Sequence, residues 1–164
     1  MRNFIIWTVL FILSLLFQTT IINSLAAQGI RPNLSLSVFV IFALRHSPLK
    51  SQSLGFAFGL LEDLTSSSLL GMNAFAKSLI GYTISSLNLS FKFKSFASQI
   101  ITLLLATILN GLVFLLLCQL FLFSISYHNF LKIVSYEALL NMIIFPFLFW
   151  GINSLTNYNE KDYL

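Results

Sequence analysis

Three charged side chains, Glu62, Asp63 and Lys77, lie within mostly apolar sequence. A charge at membrane depth costs about 2.5–3.5 kcal/mol on insertion scales, so it persists only where the folded protein satisfies it. The opposite signs predict a buried ion pair, either Asp63–Lys77 or Glu62–Lys77. Asn73 is expected to supply a further hydrogen bond. An alternative that stays open for Glu62 is a position in water at the outer interface.

Small residues accompany these charges at helical spacing. Projected at 100° per residue, one face collects Gly55, Gly59, Glu62 and Asp63 within a sector of about 100°. A Gly-x-x-x-Gly pair lets a neighbouring backbone approach closely in lipid. One face of the next segment carries small or polar residues four apart: Asn73, Lys77, Gly81 and Ser85. Because only residues 65–69 join the two segments, we predict antiparallel helices with polar groups between them.

Catalytic chemistry is not indicated by these or other residues. Glu62 and Asp63 are adjacent, so on a helix they point about 100° apart and do not form a facing acid dyad. The chain contains no HExxH, CxxC, Walker-type or GxSxG motif. Its one cysteine, Cys118, lies among leucines and is interpreted as packing. The sequence therefore predicts neither an enzyme nor a cofactor or metal site.

The composition is that of an integral membrane protein. The chain has 164 residues, of which 57% are hydrophobic and only 9% charged, against about 25% charged in a soluble domain. Its mean hydropathy is +0.90. The net charge of +4 comes from Lys and Arg scattered at segment ends, which is typical of topology signals and not of a nucleic-acid groove.

The apolar segments predict an all-α polytopic protein that forms a single integral membrane domain over residues 1–164. A spanning helix needs about 20 apolar residues. Six spans are predicted, near residues 4–22, 30–46, 52–65, 69–88, 98–123 and 133–155. The second and third segments are short, so four or five spans is an alternative. The first segment resembles a signal peptide, but its length favours an uncleaved span.

Counting Lys and Arg predicts the orientation. With six spans and the N-terminus inside, six basic residues are cytoplasmic: Arg2, Arg45, Lys50, Lys92, Lys94 and Lys161. Two others, Arg31 and Lys132, lie outside. This asymmetry favours both termini in the cytoplasm.

Several short motifs, in order and spacing, resemble the family of the rod-shape-determining protein MreD. The N-terminal half carries Arg31-Pro32-Asn33, Gly55-Phe-x-x-Gly59-Leu-x-x-Asp63-Leu64, and Ser66-Ser67-Ser68-x-Leu70-Gly71 with Ala76 and Tyr82. The C-terminal half carries Asn141-x-x-x-x-Pro146-Phe147, where Pro146 is expected to kink the last helix. Glu62 and Lys77 depart from the family pattern, so the ion pair predicted for Lys77, with either carboxylate, is not expected to be general to the family.

The resemblance implies a non-enzymatic scaffold of the bacterial cell-elongation machinery in the inner membrane. MreD-like proteins act with the bitopic protein MreC, the MreB filament, and the complex of RodA with a class B penicillin-binding protein. They help to maintain rod shape and to regulate lateral peptidoglycan synthesis. The resemblance also implies a fold similar to the substrate-binding components of energy-coupling-factor vitamin transporters.

Such a vitamin-transporter component is the alternative function, and a channel or exchanger that uses the carboxylates is a third. The candidate helix-packing or partner-binding residues are Arg31, Pro32, Gly55, Gly59, Glu62, Asp63, Gly71, Asn73, Lys77, Gly81 and Pro146. Membrane lipid and the proteins named above are the expected partners. The glycine-lined faces are expected to form either the internal core or a docking groove for the transmembrane helix of MreC.

Overall fold

A computed structural model describes residues 2–22, 32–66, 69–93, 95–121 and 127–156. Six α-helices account for nearly all of these residues, and no strand occurs among them. The helices are α1 (Arg2–Phe17, continued by a π-helical turn, Gln18–Ile22), α2 (Leu34–Ala43), α3 (Pro48–Thr65), α4 (Met72–Phe91), α5 (Phe96–Leu120) and α6 (Tyr127–Thr156). The all-helical prediction is confirmed.

Two helices in the described part of the chain are long and apolar enough to cross a membrane. They are α5 and the Phe130–Thr156 portion of α6. The segment Ile5–Thr20, which runs from α1 into the π-helical turn, and the whole of α2 are apolar but shorter. The count of six membrane spans therefore stays a prediction.

The second helix is much shorter than the predicted segment over residues 30–46. It has 10 residues, which extend about 15 Å, roughly half of the apolar thickness of a bilayer. Pro32 and Asn33 precede the helix, while Arg31 lies outside the described residues. Asn33 is the N-cap, because its side-chain oxygen accepts the N–H of Leu36 at 3.0 Å. All nine residues after Leu34 are buried, so α2 lies in the centre of the bundle.

Other helix boundaries also differ from the predicted segments. α3 begins at Pro48, where the fixed φ of proline suits the first turn of a helix. α4 begins at Met72, because Gly71 has φ of +100° and ends a turn there. α6 begins six residues before the predicted position 133 and continues through Pro146 to Thr156. A kink at Pro146 stays a prediction.

One end of the bundle, which we call the basic end, is held together by Arg45. Its guanidinium lies 5.6 Å from the ring centre of Trp7 and 5.8 Å from that of Phe149. It also donates hydrogen bonds to Asn153 and Thr156. The start of α1 and the ends of α2 and α6 therefore meet at this end.

The aromatic residues of α1 and α3 complete the core around α2. Phe11 of α1 stacks on Phe58 of α3 with ring centres 4.0 Å apart. Trp7 packs edge-on against Phe42 of α2 at 5.3 Å. The first helix is therefore an integral part of the packed body.

Candidate functional site

The contact between α3 and α4 is built on glycines. A methyl group at Gly59 would lie 2.3 Å from the Cα of Ala74, and one at Gly55 would lie 2.6 Å from the carbonyl oxygen of Lys77. From the other side, a methyl group at Gly81 would lie 2.6 Å from the carbonyl oxygen of Ser51. The small-residue faces of the two helices thus lie against each other. This close approach favours the internal core over a docking groove for a partner helix.

Lys77 and Glu62 form an ion pair inside this contact. The Nζ of Lys77 bonds the Oε2 of Glu62. Lys77 has no exposed surface, and Glu62 is 7% exposed. Of the two predicted pairings, the structure shows the one with Glu62, and the alternative that places Glu62 in water is wrong. An isolated charge in such a place would be very costly, so each group depends on the other.

Asp63 has a different set of partners from its neighbour Glu62. Its carboxylate accepts the backbone N–H groups of Gly71 at 2.8 Å, Asn73 at 3.1 Å and Ala74 at 3.2 Å. It also accepts the side-chain amide of Asn73 at 2.9 Å. The first N–H groups of a helix have no intrahelical acceptor, and the positive end of the helix dipole favours an anion there. Asp63, at the end of α3, therefore caps the start of α4.

Glu62 also faces α2, through Ser35. The hydroxyl of Ser35 lies 2.8 Å from the Oε2 of Glu62 and 2.9 Å from the Oδ1 of Asn33. Its single proton goes to one acceptor at a time. The backbone N–H of Ser35 donates to the Oε1 of Gln18 in the π-helical turn after α1, at 3.3 Å. The start of α2 is therefore bonded to both α1 and α3.

Hydrogen bonds continue from α2 to the last two helices. The N–H of Asn33 donates to the Oδ1 of Asn141 in α6 at 2.7 Å. The amide of Asn141 donates to the Oγ1 of Thr107 in α5 at 3.2 Å. We call the continuous set the polar chain: Lys77, Glu62, Ser35, Asn33, Asn141 and Thr107. It joins five helices, and Gln18 adds the sixth.

Side chains also close the other end of α2. The carbonyl of Ala43 accepts the hydroxyl of Ser85 at 2.7 Å, and that of Leu44 accepts the amide of Asn88 at 2.7 Å. A short helix surrounded by apolar side chains leaves terminal backbone groups that water does not reach. Here α4 satisfies groups at one end, while α1 and α6 satisfy groups at the other.

The sequence predictions identified the α3–α4 part of this arrangement and missed the rest. Pro32 is half-buried just before α2, and Pro146 lies on α6 beside the buried Phe145. Gln18, Ser35, Asn88 and Thr107 were not predicted. Their signal is weak, since each is a single polar residue in an apolar stretch, and Ser and Thr often bond their own helix.

His46, in the connection between α2 and α3, is partly buried at the basic end. Its ring stacks on that of Phe42 with centres 4.0 Å apart. Its Nδ1 lies 2.9 Å from the carbonyl oxygen of Phe42, so Nδ1 carries the proton. Burial lowers the pKa of His46; the bond to Phe42 partly opposes this, and the nearby charges of Lys50 and Arg45 add to the lowering. The fold therefore favours the neutral ring.

Polar groups gathered inside and apolar side chains outside define this fold as that of a membrane-embedded helical protein. The exposed side chains on α5 illustrate the outside: Ile101, Leu105, Ile108, Leu112 and Leu116. The family model for the rod shape-determining protein MreD matches residues 1–156. The chain belongs to the MreD family, and is therefore a rod-shape-determining membrane protein. No curated protein and no solved structure matches the chain, so the likeness to vitamin-transporter components stays a prediction.

Proposed function

We propose that this protein is a multi-pass, non-enzymatic scaffold of the bacterial cell-elongation machinery in the inner membrane. It binds MreC. Together with MreC, it acts with MreB and with the complex of RodA and a class B penicillin-binding protein. In this way it helps to regulate lateral peptidoglycan synthesis. The observation that carries the proposal is the family match over residues 1–156.

The closed polar core favours a scaffold function and argues against a ligand-binding function. The charged groups of Glu62, Asp63 and Lys77 are bonded to other groups of the same chain. Polar groups that recognise a small ligand must instead be directed toward it. We therefore do not favour the vitamin-transporter component or the exchanger.

MreC then meets the outer surface of the helices. The inner faces of α3 and α4 are occupied by each other, because Gly59 leaves no room between them. The outward residues of α5 and α6 are large and apolar, as with Leu116 at 63% and Phe147 at 75% exposed. We propose that the single transmembrane helix of MreC packs against outward helix faces of this kind.

We further propose that the basic end lies in the cytoplasm. Exposed Lys50 lies in the first turn of α3, and exposed Lys92 follows α4, whose Asn88 bonds the end of α2 just before Arg45. Cytoplasmic loops carry an excess of Lys and Arg. Since the start of α1 and the end of α6 meet at this end, the proposal puts both termini in the cytoplasm.

The proposal is tested in the rod-shaped bacterium that carries this chain. Depletion of the protein should give round cells, and the wild-type chain should restore rods. Tagged protein from native membranes should recover MreC. Failure to recover MreC, even after crosslinking in the membrane, would refute the binding proposal. Rods that persist after complete depletion would refute the scaffold role.

A set of core variants sharpens this test. Asp63 and Lys77 are replaced singly and together, and MreC is measured per unit of folded scaffold. Since both residues lie inside, we expect less folded protein from each variant. The Asp63 variant, whose bonded partners all lie in the α3–α4 hairpin, should keep an unchanged ratio of MreC to folded scaffold. A lower ratio in this variant with normal folding would show that the polar faces contact MreC directly.

A further inference from the structure

Contacts other than the Glu62–Lys77 ion pair also hold the α3–α4 hairpin together. Gly55, Gly59 and Gly81 bring the two backbones into contact along the helices. At the tip, Asp63 holds three backbone N–H groups at the start of α4. These contacts already set the register of the two helices.

The ion pair has a second contact, and this one is directed to α2. The same Oε2 of Glu62 that bonds Lys77 lies 2.8 Å from the hydroxyl of Ser35. Ser35 is fully buried. Lys77 balances the charge of Glu62, and the carboxylate remains available as a strong acceptor. The pair thus presents a charged acceptor to the start of a helix that has only ten residues.

α2 is also bonded to the α5–α6 hairpin, which is the pair of antiparallel helices α5 and α6. Asn141 of α6 accepts the N–H of Asn33 and donates to Thr107 of α5. Glu62 and Asn141 are therefore linked through Ser35 and Asn33 at the start of α2.

We infer that the Glu62–Lys77 pair holds the start of α2 in place, and that α2 thereby couples the α3–α4 hairpin to the α5–α6 hairpin. Asp63 is the residue that secures the hairpin, and Glu62 is a positioning residue for α2. The consequence for binding rests on the proposed function. Loosening the start of α2 changes how the two hairpins sit side by side, and with them the outer faces that MreC contacts.

The start of α2 offers a matched pair of serines for the test. Ser35 bonds Glu62, whereas Ser37 bonds only the carbonyl of Asn33 in its own helix, at 3.1 Å. Both side chains are fully buried. Ser35→Ala and Ser37→Ala therefore make the same chemical change at the same burial, and only the first removes the bond to α3.

A cysteine at the buried Val38 reports on the opening of α2. Purified full-length protein carrying Cys118→Ala and Val38→Cys is treated with a maleimide, and its labelling rate is measured well below the melting temperature. A hydrogen bond to a charged group is worth enough to change the opening equilibrium by about tenfold. Ser35→Ala should raise the labelling rate about tenfold by that estimate. Ser37→Ala should leave it within about twofold, since its bond is made within the helix.

Two more variants separate the roles of the adjacent carboxylates. Glu62→Gln should raise the labelling of Val38→Cys while the protein remains folded. Asp63→Asn should lower the melting temperature without labelling before global unfolding. Equal labelling for Ser35→Ala and Ser37→Ala would overturn the inference, even if Glu62→Gln fails to fold. The inference would also be overturned if Val38→Cys were labelled before global unfolding in Asp63→Asn but not in Ser35→Ala.

Recovery of MreC is measured on the same variants. If MreC is not recovered with the wild-type protein, the proposed function is refuted. The labelling result for α2 would still hold. Normal MreC recovery together with equal labelling in the two serine variants would refute only the coupling through α2.

Discussion

Gly59 is the position where the packing of α3 against α4 is easiest to test. A methyl group there would lie 2.3 Å from the Cα and 2.4 Å from the backbone nitrogen of Ala74. These are backbone atoms, so no side-chain rotation relieves the overlap, and the helices must separate by about 1 Å or more to reach ordinary contact distance. Overpacking of this kind costs about 1–3 kcal/mol, and sometimes more. The higher helix propensity of alanine offsets about 0.5–1 kcal/mol of this cost.

Gly151 is the matched control, because it is also inside a helix but a methyl group there meets nothing within 4 Å. Gly59→Ala should lose about 1–2 kcal/mol net, and Gly151→Ala should gain about 0.5–1 kcal/mol. For a chain of this size, each kcal/mol shifts the melting temperature by about 2–4 °C. The two variants should therefore differ by about 3–12 °C in melting temperature.

The assay is loss of the monodisperse peak in size-exclusion chromatography after heating purified protein in detergent. Two variants with the same melting temperature would refute the close α3–α4 contact. A Gly59→Ala protein more stable than wild type would do so as well, because it would show that helix propensity and not packing decides at this position.

Three further predictions use the same thermal assay. Asp63→Asn replaces one acceptor oxygen with a donor that faces backbone N–H groups, so it should cost about 1.5–3 kcal/mol; an unchanged midpoint would remove Asp63 as the cap of α4. Thr107→Val leaves the buried amide of Asn141 without an acceptor and should cost about 1–3 kcal/mol. Thr102→Val, whose hydroxyl bonds only its own helix, is its control and should cost less; equal losses would contradict the link from α5 to α6. The pKa of His46 is lowered in the folded protein, so the unfolded chain binds a proton more readily. The contribution of neutral His46 to folding stability is therefore full above about pH 6.5 and is lost as the pH falls below that value. His46→Gln should flatten the melting temperature between about pH 7 and 5.5 relative to wild type, and an identical slope in both proteins would refute this role.

The α3–α4 hairpin was predictable because the sequence signals for it are local. Glycines and charges at spacings of three and four residues must lie on one helix face, whatever the rest of the chain does. A lysine in an apolar segment must find a partner, and Glu62 and Asp63 were the nearby acids. Which of them pairs with Lys77 was not predictable from sequence. That choice depends on the turn at Gly71, which places the N–H groups of α4 over Asp63.

The short central helix was hidden from the sequence for a related reason. A segment buried on all sides shows no apolar stripe, so its length cannot be measured by periodicity. The apolar run near residues 30–46 looked like a marginal span, but Asn33 caps the helix and shortens it. The bonds from Gln18 and Asn141 to the start of α2 join residues that are far apart along the chain.

Composition and hydropathy pattern alone determined that this is an all-helical membrane protein with a charged, glycine-lined hairpin. They could do so because apolar content and helical periodicity are properties of neighbouring residues. Only the tertiary structure decided that the hairpin faces are closed against each other, and that Glu62 takes Lys77 while Asp63 caps α4. It alone showed the polar chain through α2, because the bonds that carry it from one helix to another depend on where separate parts of the chain meet.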